Sequence, residues 1–228
     1  LSGKSMPNLI MSFLTPAISG VDNVWMFMGI YLFSNILWMF GINGSSIVFP
    51  IVFALGIANT GLNGELVNLG KDPTAIMNLQ MFRYALLGGA GNTLGLVLLM
   101  CRSKSKHISS IGRLSIVPGI CGINEPIMFG APIVLNPIMF IPFVFVPVIN
   151  AIIGYFATSW GLVNHLVVLN SGVEPIFVNA WVLGAFTLSP VILCIVLFIL
   201  DLVLYYPFVK LQIKQNTLEA QNEGAAVE

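Results

Sequence analysis

VWMFMGIYLFSNILWMFGI, residues 24–42, runs for nineteen positions without a charge. At ~1.5 Å of rise per residue, about twenty such residues cross the ~30 Å hydrocarbon core of a bilayer, so the stretch is read as a membrane helix. The composition around it has the same character. Hydrophobic residues make up 57% of the chain and charged residues 8%, with a mean hydropathy of +0.94, whereas an ordinary globular protein has about 25% charged residues. The chain is expected to be an all-α integral membrane protein.

Nine basic and nine acidic residues cancel and gather in a few short segments, which leaves no basic face for nucleic acid. Cys101, Cys121 and Cys194 have neither C-x-x-C spacing nor a matching histidine set. Neither a zinc site nor a disulfide framework is indicated, and small apolar packing is their expected role. No metal or organic cofactor is called for. The chain opens on Leu1 without a charged segment, a short apolar core and a cleavage site. No signal peptide is visible, and the chain reads as a piece of a longer one.

From the first span outward, Leu9 to Ile18 is short and broken by Pro16, which suits the end of an earlier helix or an interfacial segment. Residues 43–58 stay apolar but carry Gly44, Ser45, Ser46 and Pro50, the interruptions expected of a broken, re-entrant element lining a cavity. Asn59 to Arg83 is polar and rich in turn residues. It is expected to leave the hydrocarbon, with Asp72 before Pro73 capping a helix that begins there. Residues 84–100 form the next expected span, with Gly88, Gly89, Gly91 and Gly95 giving a face that another helix can approach closely.

Arg102, Lys104, Lys106, His107 and Arg113 form the densest basic cluster, and basic loops stay on the cytoplasmic side. Residues 135–156, with Pro137, Pro142 and Pro147 recurring every five positions, predict a bent span. Residues 190–209 make the last, followed by Lys210, Lys214 and a polar cytoplasmic tail over 215–228. Both basic clusters share one side only if an even number of crossings separates them. Two spans with re-entrant segments at about 114–133 and 165–189 meet that count.

The candidate site lies in Gly119-Ile-Cys-Gly-Ile-Asn-Glu-Pro-Ile-Met-Phe-Gly130, where Glu125 is the lone acid of the otherwise uncharged stretch Leu114 to Asn164. Placing a carboxylate at membrane depth costs ~2.5–3.5 kcal/mol even on insertion scales, so its default reading is a substrate site or polar pathway. The competing reading is a structural acid that caps a half-helix or pairs with a base from elsewhere. Two glycines and flanking Pro118 and Pro126 make a continuous helix improbable here. Asn124 adds a group that both donates and accepts. Cys121 has no basic side chain nearby to lower its pKa, which argues for packing rather than nucleophilic work. Glu174 and His165 are weaker candidates in a more polar loop. The recurring Gly-Ile-Asn and Glu-Pro-Ile tripeptides hint at paired re-entrant elements, although three residues recur easily by chance.

GINEPIMFGAPIVLNPIMFIPF (122–143), preceded by LWMFGINGSSIV (37–48), resembles enzyme IIC, the membrane permease of the bacterial phosphotransferase system, in its lactose/cellobiose (diacetylchitobiose) branch. The resemblance runs over nearly all of the chain and matches the C-terminal half of the family's usual length. It implies a multi-span helical transporter with re-entrant hairpins in the bacterial plasma membrane, over about residues 1–214. Such a permease carries a disaccharide inward and presents its 6-hydroxyl to a phosphocysteine on cytoplasmic enzyme IIB, so the phosphorylated residue is not in this chain. It also implies a homodimer of the full-length protein. The family's substrate glutamate falls on Glu125, also the candidate base or orienter of the sugar 6-hydroxyl, with Asn124, Asn43 and Gly44 as further candidate substrate contacts, and Trp38 falls where an aromatic backs the sugar ring. The family usually reads G-I-H-G where this chain has Gly41-Ile42-Asn43-Gly44, so Asn43 replaces a histidine. Asparagine can hold the hydroxyl but cannot titrate near neutrality. A late P-W-T-x-P run is replaced by residues 173–181, with Trp181 as the candidate second aromatic wall.

Read from the residues alone, the same features also fit an ion- or proton-coupled secondary transporter with Glu125 as the coupling site. A third reading is a remnant that neither binds sugar nor inserts.

Overall fold

A computed structural model describes residues 23–225, except 79–80, 82–83, 85, 132 and 166–173. The expectations for Leu9 to Ile18, Arg83 and the first part of the 165–189 segment lie outside the described residues. The described elements are all helical.

Helix α1, Val24–Met39, starts at Asn23, whose side chain accepts from the Trp25 N–H at 2.9 Å, an ordinary N-cap. It stops at Phe40, and Gly41 follows at φ +77°, the left-handed turn that ends many helices. The expected span over 24–42 is thus a sixteen-residue helix of about 24 Å, short of a full crossing.

The chain restarts at once. Asn43 caps α2, Gly44–Asn68, by accepting from the Ser46 N–H at 3.0 Å. The break expected within 43–58 is absent: α2 is one helix of 25 residues that continues through Pro50. Nor does the polar run 59–68 form a loop. Its amides partner the irregular return segment instead. Asn63 grips Ala75 at both its carbonyl (2.8 Å) and its N–H (2.9 Å), and Asn59 donates to the Met77 carbonyl at 2.7 Å. These polar side chains face protein backbone, and no helix starts at Pro73.

The expected span over 84–100 is also not continuous. Leu86 to Gly89 is a turn, Ala90–Asn92 is a single 3₁₀ turn, and only α3, Leu94–Cys101, is α-helical. The cause is local: Gly88, Gly89 and Gly91 take φ of +91°, +92° and +79°, which a helix does not contain and other residues resist. A Cβ on Gly91 would collide with the ring of Phe143.

Helix α4, Lys106–Ile120, is followed by a break with Gly122 at φ +80° and then by the short α5, Glu125–Gly130. The break falls at 121–124, inside the segment 114–133 whose glycines and prolines predict an interruption. Asn136 caps α6, Pro137–Ser159, accepting from the N–H groups of Ile138 and Met139. Helix α7 is Ile176–Leu183, a turn at residues 184–186 follows it, and α8 runs from Ser189 to Ala225. The expected tail is therefore helical through residue 225.

Among the described residues three helices are long and apolar enough to cross a membrane: Gly44–Asn68, Pro137–Ser159 and Ser189–Gln215. Their outward faces carry exposed Phe49, Phe53, Ile195, Ile199 and Val203, as lipid-facing surfaces do. Helix α8 packs on α3, α6 and α7, α1 packs on α2 and α6, and α6 lies against the 3₁₀ turn. The broken segment is enclosed by long helices.

Candidate functional site

Four places where helices stop come together around one cavity of about 350 Å³. They are the end of α1, the start of α2, the Gly89–Ala90 turn and the Gly122–Asn124 break before α5. Trp38, Asn43, Asn124 and Glu125 all line it, with Ser45, Ser46 and Phe49. Residues more than eighty positions apart in the chain thus share a single site of the size that small-molecule ligands occupy, ~300–1,000 Å³.

What each side chain can offer a ligand follows from the bonds it has already made. Trp38 is buried, and its indole N–H donates to Ser45 Oγ at 3.0 Å, so its remaining contribution is ring surface. The Asn43 carbonyl oxygen is occupied by the Ser46 N–H, which leaves its NH₂ as a donor. Asn124 is buried and donates from Nδ2 to the Ala90 carbonyl at 3.2 Å, which leaves Oδ1 as an acceptor. Glu125 is exposed at the first position of α5, and its carboxylate makes no hydrogen bond to another described residue. The cavity presents an aromatic face, a donor and at least two acceptors.

Gly44 does not contribute surface. It lets α2 cross α1 closely, since a Cβ there would collide with the backbone carbonyl of Ser34. Trp181 is not among the lining residues: its N–H donates to the Phe186 carbonyl at 2.9 Å and its ring stands edge-on to Phe186 at 5.1 Å. Glu174, just ahead of α7, accepts from Asn179 Nδ2 of that helix at 3.1 Å. Among the described residues no group of His, Cys, Asp and Glu is arranged to hold a metal.

Behind the cavity lies a polar layer that sequence reasoning missed. The Gly91 N–H donates to Asn35 Oδ1 at 3.3 Å, and the Tyr205 hydroxyl donates to the Gly91 carbonyl. Asn92 accepts from the Leu87 N–H and donates to the Tyr84 carbonyl, both at 3.1 Å. Asp201, wholly buried in α8, accepts from Asn150 of α6 at 2.8 Å. The signal for Asp201 was available: it is an acid inside the apolar run 190–209, and the rule that singled out Glu125 applies to it equally.

The family "Phosphotransferase system, EIIC" matches residues 2–147. A lactose-specific EIICB component of Staphylococcus haemolyticus is 35% identical over 217 residues, covering 92% of this chain and 36% of that protein. A cellobiose-specific EIIC component of Lactococcus lactis is 32% identical over 249 residues, covering 96% of this chain and 49% of that protein. Among solved structures, the transporter ChbC, the IIC component of the N,N'-diacetylchitobiose-specific system, superimposes with a TM-score of 0.87 at 34% identity. That match covers 97% of this chain and 52% of ChbC. The chain therefore spans about half or less of the length of these relatives. With its all-helical architecture, its apolar membrane-length helices and these matches, the chain belongs to the EIIC family of phosphotransferase-system membrane transporters.

Proposed function

We propose that this chain forms the sugar-binding part of a phosphotransferase permease that takes up a disaccharide of the lactose, cellobiose or diacetylchitobiose type. The observation that carries the reading is the single cavity shared by Trp38, Asn43, Asn124 and Glu125. A sugar has a C–H face that lies against an aromatic ring and an edge of hydroxyls that both donate and accept. Trp38 supplies the ring. Asn43 donates to a hydroxyl oxygen, and Glu125 and Asn124 accept from hydroxyl protons. The relatives act on lactose, cellobiose and diacetylchitobiose by name, which motivates that substrate class.

In this reading the sugar reaches the cytoplasmic side with its 6-hydroxyl held against Glu125 and meets the phosphocysteine of a IIB partner. The S–P bond breaks with its electron pair leaving on the IIB cysteine thiolate, an O–P bond forms, and the hydroxyl gives its proton to the Glu125 carboxylate. Such transfers depend chiefly on positioning and charge stabilisation, and positioning is what this chain's residues supply. The fusion of B and C components in the lactose relatives supports a IIB partner. The basic residues of 102–113 and Lys210 and Lys214 support a cytoplasmic C-terminus by the positive-inside rule. The working protein is a homodimer in the bilayer.

The test is phosphoenolpyruvate-dependent phosphorylation of labelled lactose, cellobiose and diacetylchitobiose. It uses membranes carrying the protein made from its whole gene, wild type against Glu125→Gln. We expect one sugar phosphate from wild type and its loss in the variant. No product from any of the three sugars, with gradient-driven uptake intact, would refute the reading.

A further inference from the structure

We propose that Asp201 holds a proton in the folded protein and, paired as a neutral acid with Asn150, is a positioning residue for the cavity. Asp201 and Asn150 are both fully buried. One bond joins them, from Asn150 Nδ2 to Asp201 Oδ1 at 2.8 Å. The two remaining oxygens, Asp201 Oδ2 and Asn150 Oδ1, are buried and have no hydrogen-bond partner among the described residues. Both are acceptors if Asp201 is ionised, and among the described residues neither has a donor within hydrogen-bond distance.

A single proton resolves the conflict. Placed on Asp201 Oδ2, it turns one orphan acceptor into a donor that the other can accept from. The pair then becomes the planar two-point arrangement that a carboxylic acid makes with a primary amide. It also removes a charge that would otherwise sit in an apolar bundle without a counter-ion, which is the costlier state. Among the described residues the groups that face the carboxyl supply no cation. From α6 comes Asn150. Ahead of α3 stands the neutral Asn92 amide, a second side-chain donor beside the carboxyl whose close hydrogen bond goes to the Tyr84 carbonyl, and on α3 is Gly95, at which an added Cβ would lie 3.2 Å from Asp201 Cβ. On α8 itself the titratable neighbours are Tyr205 and Cys194.

The place of this pair gives it a consequence. It ties α8 to α6, and one turn further along α8 the Tyr205 hydroxyl holds the Gly91 carbonyl. Gly91 adjoins Ala90, whose carbonyl fixes the Asn124 side chain on the cavity wall. Asp201 thus acts on the cavity through Tyr205, the 3₁₀ turn and Asn124 without touching it. This second half of the proposal rests on the sugar reading of the cavity, and the first half does not.

The experiment uses the purified protein made from its whole gene. An infrared difference spectrum of wild type minus Asp201→Asn is expected to contain a protonated carboxylic-acid C=O band that shifts in D₂O; its absence would overturn the proton assignment. Binding of labelled lactose, cellobiose and diacetylchitobiose is then compared. Asp201→Asn, which keeps one donor and one acceptor, is expected to bind within about twofold of wild type, and Asp201→Ala at least about fivefold more weakly. In an Asn124→Ala background the Asp201→Ala effect should vanish, because the two act in series. Asn150→Ala, which removes the partner from the other helix, repeats the cycle if Asp201→Ala does not insert. An Asp201→Asn variant as weak as Asp201→Ala, or additive losses in the double variant, would overturn the positioning role. A wild type that binds none of the sugars would overturn the cavity reading together with that role, while the infrared band still decides the proton.

Discussion

Asn43 has two separable jobs, and substitutions can pull them apart. Its side-chain oxygen caps α2 through the Ser46 N–H at 3.0 Å, and its NH₂ faces the cavity. Losing the cap costs ~1 kcal/mol, which in a domain of this size lowers the unfolding midpoint by about 2–4 °C. Losing one hydrogen bond to a neutral hydroxyl costs ~1 kcal/mol of binding, about fivefold in affinity. Asn43→Ser keeps an oxygen able to cap but has no amide, so stability should hold while sugar affinity falls about fivefold. Asn43→His restores a ring N–H towards the ligand but caps poorly, so affinity should hold while the midpoint falls by the ~2–4 °C above. Asn43→Ala should lose both. The assays are thermal unfolding in detergent at one scan rate and equilibrium binding of labelled sugar. If the three variants lose affinity in proportion to stability, the amide does not reach the ligand and Asn43 is only a cap.

Three other perturbations test the site. Gly89→Ala puts a Cβ 2.8 Å from the Asn124 side chain at a φ of +92°; it should displace Asn124 and weaken sugar binding by about tenfold or more, several kcal/mol of strain being available. Unchanged binding in that variant would remove Asn124 from the site. Trp181→Ala, away from the cavity lining, should leave affinity within about twofold, as surface changes usually do; a large loss in the binding assay would restore it as a second wall. Sugar 6-phosphate should compete with labelled sugar at least about tenfold less well than the free sugar, a gap that Glu125→Gln narrows. Equal competition by sugar and sugar phosphate would show that Glu125 does not sense the 6-position.

The membrane class was legible because it depends on composition summed over the chain, and Glu125 was legible because an acid in an apolar run is conspicuous. The helix boundaries were less so, and the failures share a cause. The spacing of Gly88, Gly89 and Gly91 fits a helix-packing face, but three positive-φ residues within four positions make a turn, and spacing alone does not distinguish the two uses of glycine. The polarity of Asn59 and Asn63 predicts a segment outside the hydrocarbon, whereas both side chains bind the return segment 71–78. A buried amide that serves irregular backbone has the same one-letter signature as a solvated one. Asp201 is hidden for a different reason: the average hydropathy of the run 190–209 is high enough to mask one acid.

The way the cavity is built also limits what it can hold. Each wall is a place where a helix is interrupted, and an interruption in an apolar surrounding leaves N–H and C=O groups in need of partners. Asn43 serves Ser46, Asn124 serves Ala90 and Asn35 serves Gly91. Asn43 and Asn124, on the cavity wall, each commit one end of the amide to backbone and have the other end to offer. The lining therefore acquires polar groups without acquiring charge, and Glu125 is its one formal charge among the described residues. A dehydrated divalent cation would want about six oxygens, more than these walls converge on a point. An anion would meet Glu125. At ~5 Å and an effective dielectric of ~20, two like charges repel by about 3 kcal/mol, whereas the N-terminus of α2 returns only ~0.3–1 kcal/mol to an anion. Repulsion wins, so the arrangement favours a neutral polyol and disfavours the same molecule once a phosphate is attached, which gives the phosphorylated sugar a physical reason to leave.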